Sequence, residues 1–580
     1  MDTDGSSGPD AFGVRGSRPV FAPPGAARRP VRKIRVHPCS SVVIRGPSTS
    51  RHRDKSEGGR IYGESRYRLP NVVGACFWSL TTSATAGSSP KSDPCGGALR
   101  YPADSMPDRP NIVLMMSDQQ KASATSVYGN PHVPTPFMAD MAREGIAFDD
   151  AYAASPISTP SRASMMTGVH PLVHQVTCHQ NRAPYNLPQL AELLARAGYY
   201  NVAAGHYEST RNLSRGWHDH VSTDDRGPIH EAAKRWHAAG RGDVGWSSGS
   251  IDCTVEQSAD HLLTDRVEIM LDTVQAVRAP FFLHVPYSQP HPPYFAPPPY
   301  DSMIDPDTLP LPSMEGSIPG GRPRWQEQCL VECATAQASD DDIRNVVAVY
   351  YGMIALVDLQ MRRIHESLGR RGLLENTWII ITSDHGDYTG EKGLFTKGES
   401  LYECLLHVPL IIRPPDGFAT ERGRHVDGLV NLIDLFPTIA NLVGAECPDY
   451  VQGHDLIQWL YGGAPAPLRD CVFSQVGNYH GNLKTTFPGG IPESGRRACL
   501  VQGARTTAFS FMRDTDWGDE AYDLRNDPLE LTNLLNPGRP TPPAGIDDLR
   551  RRVDAFEVEC VELRERLGVI AGFHGFHPLW

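Results

Sequence analysis

The sequence predicts an α/β protein in which a mostly parallel sheet is sandwiched by helices and followed by a smaller C-terminal α+β domain. Residues 111–117 and 377–382 form two almost wholly apolar runs, as expected for central parallel strands that are buried on both faces. Segments with helical periodicity alternate with these and with shorter apolar runs. Such alternation is typical of a parallel sheet that carries helices on both faces.

The other elements are predicted from periodicity and from the glycines and prolines that end them. Helices are expected over 135–144, 187–197 and 342–368, and strands over 201–204 and 280–285. The Pro-rich stretch 290–323 is expected to be loop. Beyond residue 445 the pattern shortens, and we expect antiparallel strands at 471–476 and within 498–512, then a helix near 546–567.

Three regions follow from this pattern: a leader over 1–105, a catalytic α/β domain over 106–445 and a smaller domain over 446–580. The leader carries 16 Lys and Arg against 8 Asp and Glu, is rich in Arg, Ser, Gly and Pro, and shows no sustained periodicity. We expect it to be largely disordered, because such a composition cannot bury a core. Met106 is a candidate for the true start of translation; the alternative is a genuine basic tail.

Composition excludes several classes of partner. The net charge of -12 argues against nucleic acid or an anionic membrane surface, and no apolar run reaches the roughly 18 residues that a membrane helix needs. The 12 cysteines are scattered without a paired framework, and the first 30 residues lack a signal sequence. We therefore expect a cytoplasmic protein. No pattern in the chain predicts its oligomeric state.

Acidic and amide side chains follow both strongly apolar strands. Asp118 and Gln119 come directly after the first, and Asp384 and His385 follow the second. The carboxyl ends of parallel strands meet at one edge of a sheet, where ligands bind. Three oxygen donors and one imidazole suit Ca²⁺, with Mg²⁺ or Mn²⁺ as alternatives. Taken singly, each aspartate could instead cap a helix.

The stretch 158–168 predicts an anion site with a hydroxyl nucleophile. Pro160 favours the first turn of a helix and leaves Ser158 just ahead of the helix N-terminus, where free N–H groups favour an anion. Arg162, one turn further, adds a cation with bidentate donors. The alternative is that Ser158 only caps the helix.

These motifs resemble the sulfatase family of the alkaline phosphatase-like superfamily. Ser158-x-Pro-x-Arg162 followed by Thr167-Gly168 is similar to the sulfatase signature, which reads Cys or Ser-x-Pro-Ser-Arg, then Thr-Gly. Further similar segments occur in family order along the chain. They begin at Arg109-Pro110-Asn111, Asp384-His385-Gly386-Asp387, Lys397-Gly398, Asp434-Leu435-Phe436-Pro437 and Tyr522-Asp523-Leu524.

The resemblance implies a catalytic scheme. A maturation enzyme would convert Ser158 to formylglycine, and one hydroxyl of its hydrated form, next to the divalent metal, would attack sulfur. The second hydroxyl would later expel sulfate and regenerate the aldehyde. In this scheme Ser158 joins the four metal-binding residues, Arg162 holds the nucleophile, Lys397 neutralises sulfate oxygens, and His291 is the general acid at the leaving oxygen.

Four positions depart from the family pattern. Ser158 replaces the commoner cysteine, which implies a radical-type maturation enzyme. His206 stands where the family has a lysine, so we count it as a catalytic candidate, and Glu208 replaces a histidine. Gln119 replaces a second aspartate, and in that detail the chain is most similar to members resembling choline-sulfatase and phosphonate monoesterase.

The resemblance therefore implies a sulfuric ester hydrolase that releases sulfate from a small organic ester. One alternative is a phosphate or phosphonate ester hydrolase on the same scaffold, because phosphoryl and sulfuryl groups share tetrahedral oxyanion geometry. The other is a non-catalytic anion-binding relative, which an unmodified Ser158, His206 and Glu208 would favour.

Overall fold

The computed structural model describes residues 109–569, apart from 180, 182, 206–214, 222–226, 240–245, 313–337, 399, 462–466, 478–500 and 515–517. The predicted leader over 1–105, Met106, His206 and Glu208 lie outside the described residues. The described part of the chain belongs to one compact unit.

Strands and helices alternate through most of this part of the chain. The strands are β1 Asn111–Ser117, β2 Ile146–Tyr152, β3 Tyr200–Ala204, β4 Asp219–Val221, β5 Ser248–Ser250, β6 Phe281–Pro286, β7 Tyr294–Ala296, β8 Thr377–Ser383, β9 Leu410–Arg413, β10 Arg424–Asn431, β11 Val472–Val476, β12 Val501–Arg505, β13 Phe509–Arg513 and β14 Glu520–Asp523. The helices are α1 Pro136–Glu144, α2 Ser158–Thr167, α3 Pro171–His174, α4 Leu190–Arg196, α5 Gly227–Ala238, α6 Ala259–Val277, α7 Asp340–Arg370, α8 Glu403–Leu406, α9 Leu435–Leu442, α10 Ile457–Leu460 and α11 Ala544–Arg566.

Within the described residues the main sheet has eight strands in the order β10-β2-β9-β8-β1-β6-β3-β4. All of its pairings are parallel except those of β9, which runs antiparallel to β2 and β8. The two strands predicted to be central, β1 and β8, lie side by side in the interior of the sheet. The prediction of a mostly parallel α/β sheet is thus confirmed.

Both faces of this sheet are covered, which explains why β1 is apolar from Ile112 to Met116. Its alternate side chains enter two different hydrophobic clusters: Ile112 and Leu114 belong to one, Val113 and Met115 to the other. Helices α4 and α9 supply the first cluster, and α6 and α7 the second. A strand buried on both faces cannot alternate apolar with polar residues.

A second sheet is built wholly from residues after 445. Strands β11 to β14 pair in sequence order and are all antiparallel. Helix α11 packs its apolar face on this sheet, with Ile546, Leu549 and Val553 against Phe511 and Ala521. The smaller C-terminal α+β region is confirmed, whereas a domain boundary at 445/446 remains a prediction.

The structure corrects some predicted elements. The stretch 290–323 is not loop throughout, because Tyr294–Ala296 forms a strand that pairs with β5, a partner distant in sequence. Helix α7 begins at Asp340 rather than at 342, since Ser339 and Asp342 form a capping box in front of it. No helix within the described ranges combines the length and the apolar character needed to cross a membrane.

Candidate active site

Two neighbouring strands deliver their terminal carboxylates to one point. Strands β1 and β8 are parallel and in register, with Ser117 opposite Ser383, so Asp118 and Asp384 follow at equivalent positions. The Asp384 N–H donates to the Ser117 carbonyl at 3.4 Å. Both carboxylates are buried, with exposures of 3% and 0%. The register of β1 and β8 therefore brings Asp118 and Asp384 together, as their places after the two strands predict.

His385 completes a cluster that can hold a metal. Ligand atoms of Asp118, Asp384 and His385 all lie within 4.8 Å of one another. The His385 Nδ1–H donates to the Gly386 carbonyl at 2.8 Å, which leaves the Nε2 lone pair as the ligand. Burial, partly opposed by Asp384, lowers the pKa of His385 to about 4, so its imidazole is neutral at neutral pH. Two carboxylates and a neutral imidazole fit a divalent cation.

Gln119 lies against this cluster in a strained conformation. Its N–H donates to Asp384 Oδ1 at 3.0 Å, and its φ of 74° is in the left-handed region that few residues other than glycine adopt. The side-chain nitrogen donates to Asp387 Oδ2 at 2.5 Å. The side-chain oxygen is buried and has no hydrogen-bond partner among the described residues. An orphaned buried oxygen on a residue whose N–H contacts Asp384 fits the fourth ligand of a cation.

Ser158 points into the same cluster. Its hydroxyl lies 2.9 Å from His385 Nε2 and 3.4 Å from Asp118 Oδ1, and the Lys397 ammonium donates to it at 3.1 Å. Helix α2 begins at Ser158 itself, one residue earlier than predicted, and its N-cap Ile157 makes no side-chain cap. The alternative that Ser158 only caps the helix is wrong, because its hydroxyl is used elsewhere.

Arg162 joins the two carboxylates. Its Nη2 donates to Asp118 Oδ2 at 2.7 Å and its Nε to Asp384 Oδ2 at 2.8 Å, in a site where its side chain is only 3% exposed. Burial would raise the pKa of Asp118, but the Arg162 guanidinium, followed by His291, Lys397 and His385, holds it well below the usual value. Arg162 therefore keeps Asp118 ionised and ready to bind a cation.

Lys397 places a second positively charged side chain, besides Arg162, next to the Ser158 hydroxyl. Besides Ser158, its ammonium lies 3.3 Å from His385 Nε2. Burial lowers the pKa of Lys397, although Asp118 and Asp384 oppose that change. Counted formally, the two carboxylates balance Arg162 and Lys397, so a divalent cation would leave the site positive. Such a site attracts an anionic ester.

His291 lies on the loop that follows β6, close enough to Asp118 for its charge to lower the pKa of that carboxylate. The Asp118 N–H donates to the Gln289 carbonyl at 3.2 Å and so ties this loop to the end of β1. The His291 Nδ1–H donates to the Pro292 carbonyl at 2.6 Å. His206, the remaining predicted catalytic residue, is outside the described residues, so its position is untested.

The sequence reasoning missed a layer of residues behind the cluster. Asp387 is fully buried and accepts hydrogen bonds from Gln119 and from the Tyr294 hydroxyl. Tyr350 donates to the Gln119 carbonyl at 2.9 Å. Asp387 is part of the Asp384-His385-Gly386-Asp387 motif and could have been singled out, whereas the two tyrosines carry no sequence signal.

Comparison with known proteins agrees with this geometry. The family model named sulfatase matches residues 110–445, which contain every residue of the cluster. A second model, N-sulphoglucosamine sulphohydrolase C-terminal, matches residues 390–552. The first match alone covers more than half of the chain.

Individual relatives extend over most of the chain. An arylsulfatase of Clostridium perfringens is 27% identical over 471 residues, covering 74% of this chain and 90% of the relative. A choline-sulfatase of Rhizobium meliloti is 26% identical over 501 residues, covering 80% and 91%. The crystal structure of a phosphonate monoester hydrolase of Agrobacterium radiobacter has a TM-score of 0.63 at 26% identity, covering 79% of this chain and 96% of that one. The chain belongs to the sulfatase family.

Proposed function

We propose that this sulfuric ester hydrolase uses a formylglycine made from Ser158 and a divalent cation to release sulfate from a small organic sulfate ester. The proposed metal-binding residues are Asp118, Gln119, Ser158 after its conversion, Asp384 and His385. Ca²⁺ is the proposed ion because most of these ligands are oxygens, and Mg²⁺ or Mn²⁺ would fit the same donors.

One observation carries this proposal: the Ser158 hydroxyl lies within hydrogen-bond distance of both His385 Nε2 and the Lys397 ammonium, at 2.9 and 3.1 Å. A serine that only supported the helix would face its N–H groups instead. Here the side chain that the family converts points at the group of ligands that can hold the cation. The converted residue would supply a hydrated aldehyde whose hydroxyl attacks sulfur, and the bound cation would polarise the ester.

The charged residues have separate roles in this proposal. Arg162 fixes both carboxylates by two charge-assisted hydrogen bonds, so the ligands are positioned before substrate binds. Lys397 offsets charge on the sulfate oxygens, because its ammonium is within reach of the nucleophile. His291 protonates the leaving oxygen as the S–O bond to the alcohol breaks. His206 is proposed to contact the sulfate group, in place of the family lysine.

A phosphonate or phosphate ester is the second candidate substrate. The similarity in fold to the phosphonate monoester hydrolase of Agrobacterium radiobacter supports it, since that structure covers 79% of this chain. Sulfate and phosphonate monoesters place similar oxyanions beside the same cluster. Relative turnover of matched sulfate, phosphate and phosphonate esters separates the two candidates.

The test combines mass spectrometry with turnover. The protein is produced with and without a radical-type maturation enzyme, and the peptide containing Ser158 is weighed. We expect a loss of about 2 Da, the removal of two hydrogens, only with the maturation enzyme. Hydrolysis of 4-nitrophenyl sulfate should appear with that conversion and exceed hydrolysis of the matching phosphate and phosphonate esters.

Two controls keep this experiment decisive. Ser158→Ala cannot be converted and should be inactive under both conditions. Ser158→Cys, produced with a maturation enzyme for cysteine-type sulfatases, should regain activity. An intact serine with no turnover of any ester would contradict the proposal and favour a non-catalytic anion-binding protein.

We also infer a cytoplasmic location and a transient partnership with the maturation enzyme. Cys178, Cys404, Cys471 and Cys560 are free thiols, which supports a reducing compartment. Cysteine trapping of the purified protein before any reductant is added would test this, because disulfides in the native protein would contradict it.

A further inference from the structure

Asp387 is a buried carboxylate that contributes no ligand to the cluster, yet it is surrounded by hydrogen-bond donors. Its Oδ1 accepts the Thr389 N–H at 2.7 Å, and its Oδ2 faces the Gln119 side-chain amide at 2.5 Å. The Tyr294 hydroxyl lies 2.9 Å from both oxygens. Asp387 is 0% exposed, so these contacts replace water completely.

The hydrogens in this group can be assigned from its chemistry. The Tyr294 oxygen already accepts the Thr396 N–H at 3.1 Å, and its own hydrogen is therefore directed to Asp387. Burial raises the pKa of Asp387 to about 7, and above that pH the carboxylate accepts hydrogen bonds and donates none. The amide atom of Gln119 that faces Asp387 must then be its nitrogen, and the amide oxygen must point away from Asp387.

The backbone of Gln119 is held as firmly as its side chain. Tyr350 donates to the Gln119 carbonyl at 2.9 Å, and the Gln119 N–H donates to Asp384 Oδ1. The side-chain oxygen remains buried without a partner in the described structure. Its burial would cost free energy if nothing met it.

We propose that Asp387 is a positioning residue that orients the Gln119 amide so that its oxygen, and not its nitrogen, is presented to the cation. The inference rests on the proposed function, because it requires a cation at Asp118, Asp384 and His385. It deepens that function by giving a role to a carboxylate that touches neither substrate nor metal. Asp387 acts only by fixing which end of the Gln119 amide points at the ligand cluster.

The direct test is Asp387→Asn. The Thr389 N–H keeps an oxygen on its side of the new amide, so an NH₂ group replaces the oxygen that faced Gln119. Gln119 must then turn its oxygen to that NH₂ and its own NH₂ towards the cation. We expect the Kd for Mn²⁺, measured by electron paramagnetic resonance of free Mn²⁺, to rise by about 10- to 100-fold.

Asp387→Ala separates orientation from charge. Both variants remove the same negative charge, so a purely electrostatic effect would weaken Mn²⁺ binding equally. Orientation predicts a smaller loss for Asp387→Ala, because the Gln119 amide is then free to turn its oxygen to the cation. Equal losses in the two variants would overturn the proposal.

A compensating change provides the second measurement. In Gln119→Glu combined with Asp387→Asn, one carboxylate oxygen accepts from the new amide and the other meets the cation, so Mn²⁺ affinity should return to within a few-fold of the wild type. Gln119→Glu alone sets two carboxylates against each other and should bind less tightly than the double variant. Tyr294→Phe, the matched control, leaves the facing carboxylate in place and should change the Kd little.

All of these variants are prepared without the maturation enzyme, so that each retains Ser158. The result then does not depend on formylglycine or on substrate. If the wild type binds no Mn²⁺, the metal site of the proposed function fails and the inference fails with it. If the wild type binds but Asp387→Asn binds equally well, only the role of Asp387 is refuted.

Discussion

Arg162→Met should lower the stability of the metal-free protein and raise the affinity of the site for the cation. Arg162 is the residue that bridges Asp118 and Asp384, both of which are buried. Methionine keeps an unbranched chain of similar length and removes the charge. The two carboxylates are then left facing each other without their guanidinium.

The size of the effect follows from their separation. Ligand oxygens of the two carboxylates lie within 4.8 Å of each other, and at an effective dielectric of about 20 two unit charges at that distance repel by about 3.5 kcal/mol. Removal of one partner from a buried ion pair typically costs about 3–5 kcal/mol. We therefore expect the free energy of unfolding in chelator to fall by about 3–5 kcal/mol.

A bound divalent cation relieves the same repulsion. With saturating Ca²⁺ the loss of stability should shrink to about 1 kcal/mol, and by linkage the Ca²⁺ affinity of the variant should rise by about 100-fold. Sulfate ester turnover should nevertheless fall, because the ligands are no longer fixed. Urea unfolding followed by tryptophan fluorescence, with chelator and with Ca²⁺, measures the first effect, and titration calorimetry measures the second.

Arg505→Met is the matched control. Arg505 is also buried and pairs with two carboxylates, Glu530 at 2.5 Å and Glu403 at 2.9 Å, but it lies in the C-terminal sheet. Its loss should destabilise the protein equally with chelator and with Ca²⁺. If Arg162→Met behaves in the same metal-independent way, the account of Arg162 is refuted.

Three further predictions concern single residues. Lys397→Met should lower kcat/KM for aryl sulfates by about 100-fold, because the ammonium group that stabilises the transition state is lost. The Ca²⁺ affinity of this variant should be unchanged or higher, and unchanged turnover would contradict the proposed role of Lys397. His291→Gln should slow esters of poorly acidic alcohols far more than 4-nitrophenyl sulfate, whose leaving group needs little protonation; equal slowing of both would exclude it as the general acid. Burial opposes ionisation of Glu403, but Arg505 and His407 lower its pKa from 4.5 to about 2. Its contribution to stability is therefore present above pH 4.5 and lost as the pH falls towards 2, so Glu403→Gln should flatten the acid limb of the unfolding free energy over that range; an unchanged limb would count against this ion pair.

The sequence was sufficient for the parts of the site that depend on strand order. Two apolar runs that each end in an aspartate predict adjacent carboxylates, provided that the runs are neighbours in a parallel sheet. The register of β1 and β8 meets that condition. His385 followed from its place beside Asp384, and Ser158 and Arg162 from a motif at a helix N-terminus.

The rest depended on contacts between distant segments. The hydrogen bond from Lys397 to Ser158 joins residues 239 positions apart, and hydrophobic periodicity cannot predict a contact between such distant residues. The pairing of Asp387 with Gln119 and Tyr294 is a property of three segments that meet only in the folded chain. Strand β7 was missed for the same reason, because a three-residue strand exists only through its partner β5.

Anomalous diffraction from a crystal soaked in Mn²⁺ tests the central claim most directly. The account predicts one strong peak at the carboxyl ends of β1 and β8, about 2.0–2.3 Å from oxygens of Asp118 and Asp384 and from His385 Nε2. The Gln119 side-chain oxygen should be a fourth neighbour. A peak elsewhere, or none at this cluster, would contradict the claim that the two strands deliver their carboxylates to one catalytic cation.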